Sequence, residues 1–242
     1  MATPYIHNST HKDHIRSKWV EYIKHTMEIS EIDEPRIITL PAEQLHELFL
    51  YKSEGIIDWD EVETHAYRIT KGKIICFEKS TKQFTKIRSK LINATVEQVE
   101  IGSFLRNKYE SIMRGTTSIF PVDVINLDFD GNISKNSVKI NEIFSLIFKY
   151  QSHHKTNFSL FLTWPETENE DEDEYKQTLH QILDNNLNDN TLNNFQSKFT
   201  QKYIDVRSLK YEELSLISIV KMILKESSNN LFSAVKNEFF FY

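Results

Sequence analysis

The sequence predicts an α/β protein built on an open, mostly parallel, doubly wound sheet with an N-terminal helix. Two observations predict it: five β-rich runs alternate with helical segments between residues 36 and 164, and one of those runs, VDVINLDF at 122 to 129, is apolar at nearly every position. Alternation of this kind places helices on both faces of a parallel sheet, and strands covered on both faces lose the in-out pattern of half-buried ones. A chain of 242 residues with 39% hydrophobic and 12% aromatic residues is large enough to bury a sizeable core.

From Asp13 to Met27, Ile15, Trp19, Tyr22 and Ile23 recur at helical spacing, which predicts an amphipathic helix in an N-terminal segment of residues 1–30. RIITL (36 to 40) is the first strand, and AEQLHELFLYKSEG follows as a helix stopped by Gly55. The stretch IIDWDEVETHAYRITKG lacks a clear period and is expected to be an irregular connection or a short helix. KIICFEK (73 to 79) is the second strand, and VEQVEIGSF (96 to 104) reads as the third from its alternating Val96, Val99 and Ile101. VDVINLDF is the fourth and NFSLFLTW (157 to 164) the fifth, with helices around TKQFTKIRSKLI, FLRNKYESIMRG and NSVKINEIFSLIFKYQ between them. Residues 31–165 therefore form the core. Residues 166–242 are expected to complete the same domain with an acidic loop, helices and a final strand at LFSAVKNEFFFY.

Seven of the nine residues in ETENEDEDE (166 to 174) are acidic, as in a loop extended by self-repulsion. A net charge of -6 does not advertise a nucleic-acid binder, though local basic patches such as Arg106, Lys108 and Arg114 keep nucleic acid open as a partner. The single cysteine, Cys76, excludes an internal disulfide and any multi-cysteine metal site, fits a cytoplasmic location, and is expected to be buried in its strand. No window approaches the apolar length of a membrane span. His7, His11 and His14 are expected to be solvated, and His153 and His154 to cap a helix, so no metal site is assigned.

Ligands of open parallel sheets bind at the carboxyl ends of the strands, where strand order reverses. The residues at those ends are Leu40 and Pro41, Glu78, Gly102 and Ser103, Asn126 to Asp130, and Thr163 to Pro165. With an acid ending the second strand and an Asn/Asp cluster ending the fourth, residues 13 to 165 resemble the class I S-adenosylmethionine-dependent methyltransferases, a Rossmann-like family. The resemblance implies that Leu40, Pro41, Glu78 and Ser103 contact S-adenosylmethionine, with Glu78 taking the ribose hydroxyls. It also implies that Asn126 and Asp128 are the catalytic residues, because NLDF resembles the family's [DN]-P-P-[FY] with both prolines missing. TLPAEQL has no glycine where the family has a Gly-rich turn, and Ser103 stands where an acid often contacts adenine. The expected function is accordingly a divergent methyltransferase-like protein acting on nucleic acid or protein, or a non-catalytic interaction module on the same fold. A homo-oligomer or protein partner would then complete the sheet edge.

LDFDGNIS also resembles the D-x-D-G-T motif of haloacid-dehalogenase-type phosphatases, which would make Asp128 the nucleophile, Asp130 the acid/base and Thr163 the second-motif residue of a Mg²⁺-dependent enzyme. Position argues against it, because four βα elements precede the motif and no later strand brings further acids. Asp130-Gly131 is expected to be a turn into the next helix.

Overall fold

The computed structural model describes residues 10–117, 119–129, 137–163 and 211–232, together with Gln177 and Gln181. These fall in two compact units. One holds residues 10–129 and 150–163, and the other holds 137–149 and 211–232.

The first unit is the expected parallel sheet. Strands β1 (Arg36–Thr39), β4 (Lys73–Phe77), β6 (Thr95–Glu97), β7 (Val124–Asp128) and β8 (Ser159–Thr163) are arranged β6-β4-β1-β7-β8. Every neighbouring pair is parallel. Ile37, Ile38, Ile74, Ile75, Val124 and Ile125 are all buried, which is why these strands carry apolar residues on both faces. Among the described residues β6 and β8 are the edges.

Side chains alternate between the two faces. Ile37, Ile74, Cys76 and Val124 join a core with Val20 and Ile23 of α1 (Thr10–Ile29) and with Leu48 and Tyr51 of α2 (His46–Ser53). Trp19 and Tyr22 of α1 lie against Phe161 of β8, with ring centroids 5.6 and 6.5 Å apart, and the buried hydroxyls of Thr26 and Ser159 meet at 2.6 Å. Toward the other face, Phe77 meets Phe104 of α4 (Ile101–Asn107) at 4.9 Å. α5 (Tyr109–Met113) follows α4, and the Tyr109 ring lies 5.9 Å from that of Tyr150, near the end of α6 (Ser137–His154). The Tyr150 hydroxyl donates to the Leu105 carbonyl at 2.6 Å. Cys76 is buried, as its place in an apolar strand predicts.

Two stretches differ from the sequence expectation. IIDWDEVETHAYRITKG is a hairpin of β2 (Asp58–Glu63) and β3 (Ala66–Lys71), and β3 also pairs in parallel with β5 (Leu91–Ile92) to make a second, three-stranded sheet. Its period is masked in sequence because β2 buries only Trp59 and exposes the acids around it. Trp59 then packs with Tyr67 and with Phe49 of α2 at 5.2 Å each. The third strand of the main sheet is also shorter than expected, ending at Glu97. Ile101, Phe104 and Leu105 are buried at i, i+3 and i+4, so that helical stripe outweighs the Val96, Val99, Ile101 alternation.

Gly72 joins the two sheets, between β3 and β4, at a φ of +82°. A β-carbon there would stand 3.0 Å from Ile57 Cγ2 and 3.2 Å from the Pro35 carbonyl oxygen. Gly72→Ala should therefore destabilise the protein by about 2 kcal/mol, combining left-handed strain with a backbone clash, read as a lower urea midpoint at unchanged slope.

The second unit contains α6 up to Lys149 and α7 (Tyr211–Asn229), with Ile143, Phe144, Ile219 and Val220 buried and the Phe148 and Phe232 rings edge to face at 5.8 Å. The acidic stretch at 166 to 174, the Asp130-Gly131 turn, His7 and the final strand expected at LFSAVKNEFFFY from Ser233 on lie outside the described residues. No described helix is long and apolar enough to cross a membrane.

Candidate functional site

Strand order reverses at β1: β4 and β6 lie on one side, β7 and β8 on the other. In open parallel sheets the place beyond the carboxyl ends of the strands at such a reversal, here β1 and β7, is where ligands bind. Thr39 ends β1 and is level with Asn126 of β7 and Cys76 of β4. All three are buried and point to the face covered by α2.

α2 brings two polar side chains to this place, Glu47 and Tyr51, one turn apart. The Thr39 hydroxyl donates to Glu47 Oε1 at 3.3 Å, and Asn126 Nδ2 donates to the Tyr51 hydroxyl at 3.3 Å. Asn126 Oδ1 is enclosed and has no hydrogen-bond partner. Asp128 stands two residues beyond Asn126 on the same face of β7. It is exposed, and its Oδ1 accepts from the Thr163 hydroxyl of β8 at 2.5 Å.

Burial pushes the Glu47 carboxyl up to about 7; the negative charge of Asp128 adds to this, while the Thr39 hydrogen bond and Arg16 of α1 oppose it. The same enclosure pushes the Tyr51 hydroxyl and the Cys76 thiol upward, and Glu47 contributes to both. Carboxyls perturbed in this way concentrate where proteins handle protons or charge.

The remaining sequence-predicted residues are dispersed around this centre. Leu40 is half-buried and Pro41 buried in the loop after β1. That loop is held to α3 (Thr81–Lys90) by Lys86, whose Nζ lies 2.6 Å from Glu43 Oε2, and by Lys90, which donates to the Glu43 carbonyl at 2.8 Å. Glu78 follows the last residue of β4. One of its oxygens accepts the Ser80 N–H at 2.6 Å, which starts α3. Ser103 is not at a strand end: it sits in α4, where its hydroxyl donates to Glu100 Oε2 at 3.5 Å and accepts from Arg106 Nη2 at 3.2 Å. Arg114 of the basic cluster is paired with Glu110 at 3.1 Å.

The structure thus brings Asn126 and Asp128 together with Thr39, Glu47 and Tyr51. Sequence reading missed the last three. Glu47 looks like an ordinary first-turn acid complementing a helix dipole, and only its place one helix turn before Tyr51, directly after β1, hints otherwise. Among the described residues no three His, Cys, Asp or Glu side chains gather to hold a metal. Compared with protein-family models and with curated proteins, the chain matches none.

Proposed function

We propose that this protein is a divergent S-adenosylmethionine-dependent methyltransferase-like protein acting on nucleic acid or protein. The observation that carries the proposal is the β6-β4-β1-β7-β8 order with Glu78 directly after β4 and Asn126 and Asp128 on β7, at the carboxyl ends of strands, where open parallel sheets bind ligands. Bound S-adenosylmethionine would supply an electrophilic methyl group. Glu78 has one oxygen committed to Ser80, and the other is suited to accept from ribose hydroxyls. The unpartnered Asn126 Oδ1 is suited to hold a donor group of the nucleophile, and alignment rather than covalent help would supply much of the rate.

One observation favours the second reading, an interaction module without catalysis. The loop after β1 has no glycine, buries Pro41 and Leu45, and enters α2 through Leu45 at a left-handed φ of 56°, so its backbone is less open to a cofactor than a glycine turn would be.

Calorimetry with S-adenosylmethionine tests the proposal. Binding is expected, and Glu78→Ala should weaken it at least about tenfold, the equivalent of one charge-assisted hydrogen bond or more. Heat-silent mixing at every concentration would leave the interaction module. Mg²⁺-dependent turnover of an aryl phosphate that vanishes in Asp128→Asn would install the phosphatase instead.

A further inference from the structure

We propose that the outward face of α3 is a docking surface for nucleic acid, held through its phosphate backbone. This deepens the proposed function and rests on it for one step only: it makes nucleic acid, and not protein, the methyl acceptor.

Charge is unevenly placed along the chain. Residues 79–90 hold five lysines and arginines, Lys79, Lys82, Lys86, Arg88 and Lys90, and no aspartate or glutamate, in a chain whose net charge is -6. Ser80 starts the helix, its hydroxyl accepting the Gln83 N–H at 3.5 Å, and Ile87 joins the core. With Ile87 turned inward, Lys79, Lys82 and Arg88 are exposed. Among the described residues none of these three is in an ion pair. Lys86 is paired with Glu43 at 2.6 Å and Lys90 donates to the Glu43 carbonyl, while Lys82 acts on the same carboxylate more weakly. Lys82, Lys86 and Lys90 recur at every fourth residue, so like charges crowd one side of the helix at a cost that a polyanion relieves.

The rest of the face selects the occupant. Its other exposed residues are Ser80, Thr81, Thr85 and Ser89, without an apolar side chain to enter a lipid surface. The Thr85 and Ser89 hydroxyls donate back to the Thr81 and Lys86 carbonyls, so the cations carry the contact. Arg88 lies over the half-buried Phe84 ring at 5.7 Å, and a guanidinium pairs with phosphate in bidentate fashion or stacks on a base. Lacking exposed amides or carboxylates that read base edges, the face would bind without sequence preference. α3 starts just after Glu78, at the carboxyl end of β4, so a strand laid along it leads to the end of the sheet proposed to hold the methyl donor.

Fluorescence anisotropy with a labelled ~20-nucleotide single strand and a duplex of the same length, without S-adenosylmethionine, tests the surface. Binding should weaken steeply between ~50 and ~200 mM salt, and Lys82→Glu/Arg88→Glu should weaken it at least about tenfold. Lys73→Glu/Lys225→Glu makes the same change of net charge at exposed sites outside α3, and should weaken it less than about threefold. Neutralising the three exposed cations, as Lys79→Ala/Lys82→Ala/Arg88→Ala, should lower the salt slope by about 2–3. All these variants keep Ile87 and should share the parent's urea midpoint. No binding at ~50 mM salt, equal losses in the two charge-reversed variants, or a polyglutamate that competes as well as nucleic acid would overturn the inference. Cofactor binding that survives such a result leaves the methyltransferase reading with a protein acceptor. Nucleic-acid binding in a protein that ignores S-adenosylmethionine removes the methyltransferase reading and keeps the docking surface.

Discussion

Gln151→Ala is expected to lower stability by about 3 kcal/mol, which for a chain of this size is a fall in melting temperature of about 6–12 °C. Gln151 is wholly enclosed near the end of α6, and its carboxamide acts on a single residue ahead of β7. Its Oε1 accepts the Val122 N–H at 3.1 Å, and its Nε2 donates to the Val122 carbonyl at 2.5 Å. Val122 is itself fully buried, so neither backbone group can turn to solvent when the amide is gone. Truncation to alanine adds a cavity to two unpaired groups. Gln151→Leu separates the two contributions, because leucine keeps most of the volume and none of the hydrogen bonds. It should recover only about 1 kcal/mol of the loss, measured by urea unfolding. A full recovery would mean that packing, and not the paired backbone of Val122, is what Gln151 provides.

The sheet was legible because its strands are buried on both faces. Ile37 to Thr39, Ile74 to Phe77 and Val124 to Leu127 are unbroken buried runs, and an uninterrupted apolar segment bounded by polar residues leaves few alternatives. The hairpin β2-β3 was not legible for the opposite reason. Its buried residues, Trp59, Ala66, Tyr67 and Ile69, are separated by acids and a turn through His65 at a positive φ, so no window shows a period. At the site, Asn126 and Asp128 could be found because they interrupt an apolar strand. Thr39, Glu47 and Tyr51 could not, because a threonine at a strand end and a glutamate in a first helical turn are ordinary in sequence and become a cluster only when α2 folds back over β1. Ser103 was misplaced by the same ambiguity that lengthened its strand. Gly102 and Ser103 read as a strand terminus until Ile101, Phe104 and Leu105 are seen to share a helical stripe.

The half-buried carboxyl of Glu47 has a cost that pH reveals. Its proton is held more tightly in the folded chain, with the carboxyl raised from the ordinary 4.5 to about 7. Between those values the folded state binds more protons than the unfolded one, so stability falls as pH rises through that window and levels off above it. Each unit corresponds to about 1.4 kcal/mol, and a partly exposed carboxyl recovers some hydration, so a loss of about 2–3 kcal/mol by pH 8 is expected. Glu47→Gln carries no titrating proton and should be more stable than the parent by about that amount at pH 8, with the difference shrinking to near zero at pH 4. Other groups also tilt the profile. Burial raises Asp123 and lowers His154, but both are retained in the variant, so the difference between the two curves isolates Glu47. Urea unfolding of both proteins from pH 4 to pH 8 checks this. A variant that is less stable at pH 8, or offset equally at every pH, would show that Glu47 is held as a hydrogen-bonded carboxylate rather than as a protonated acid.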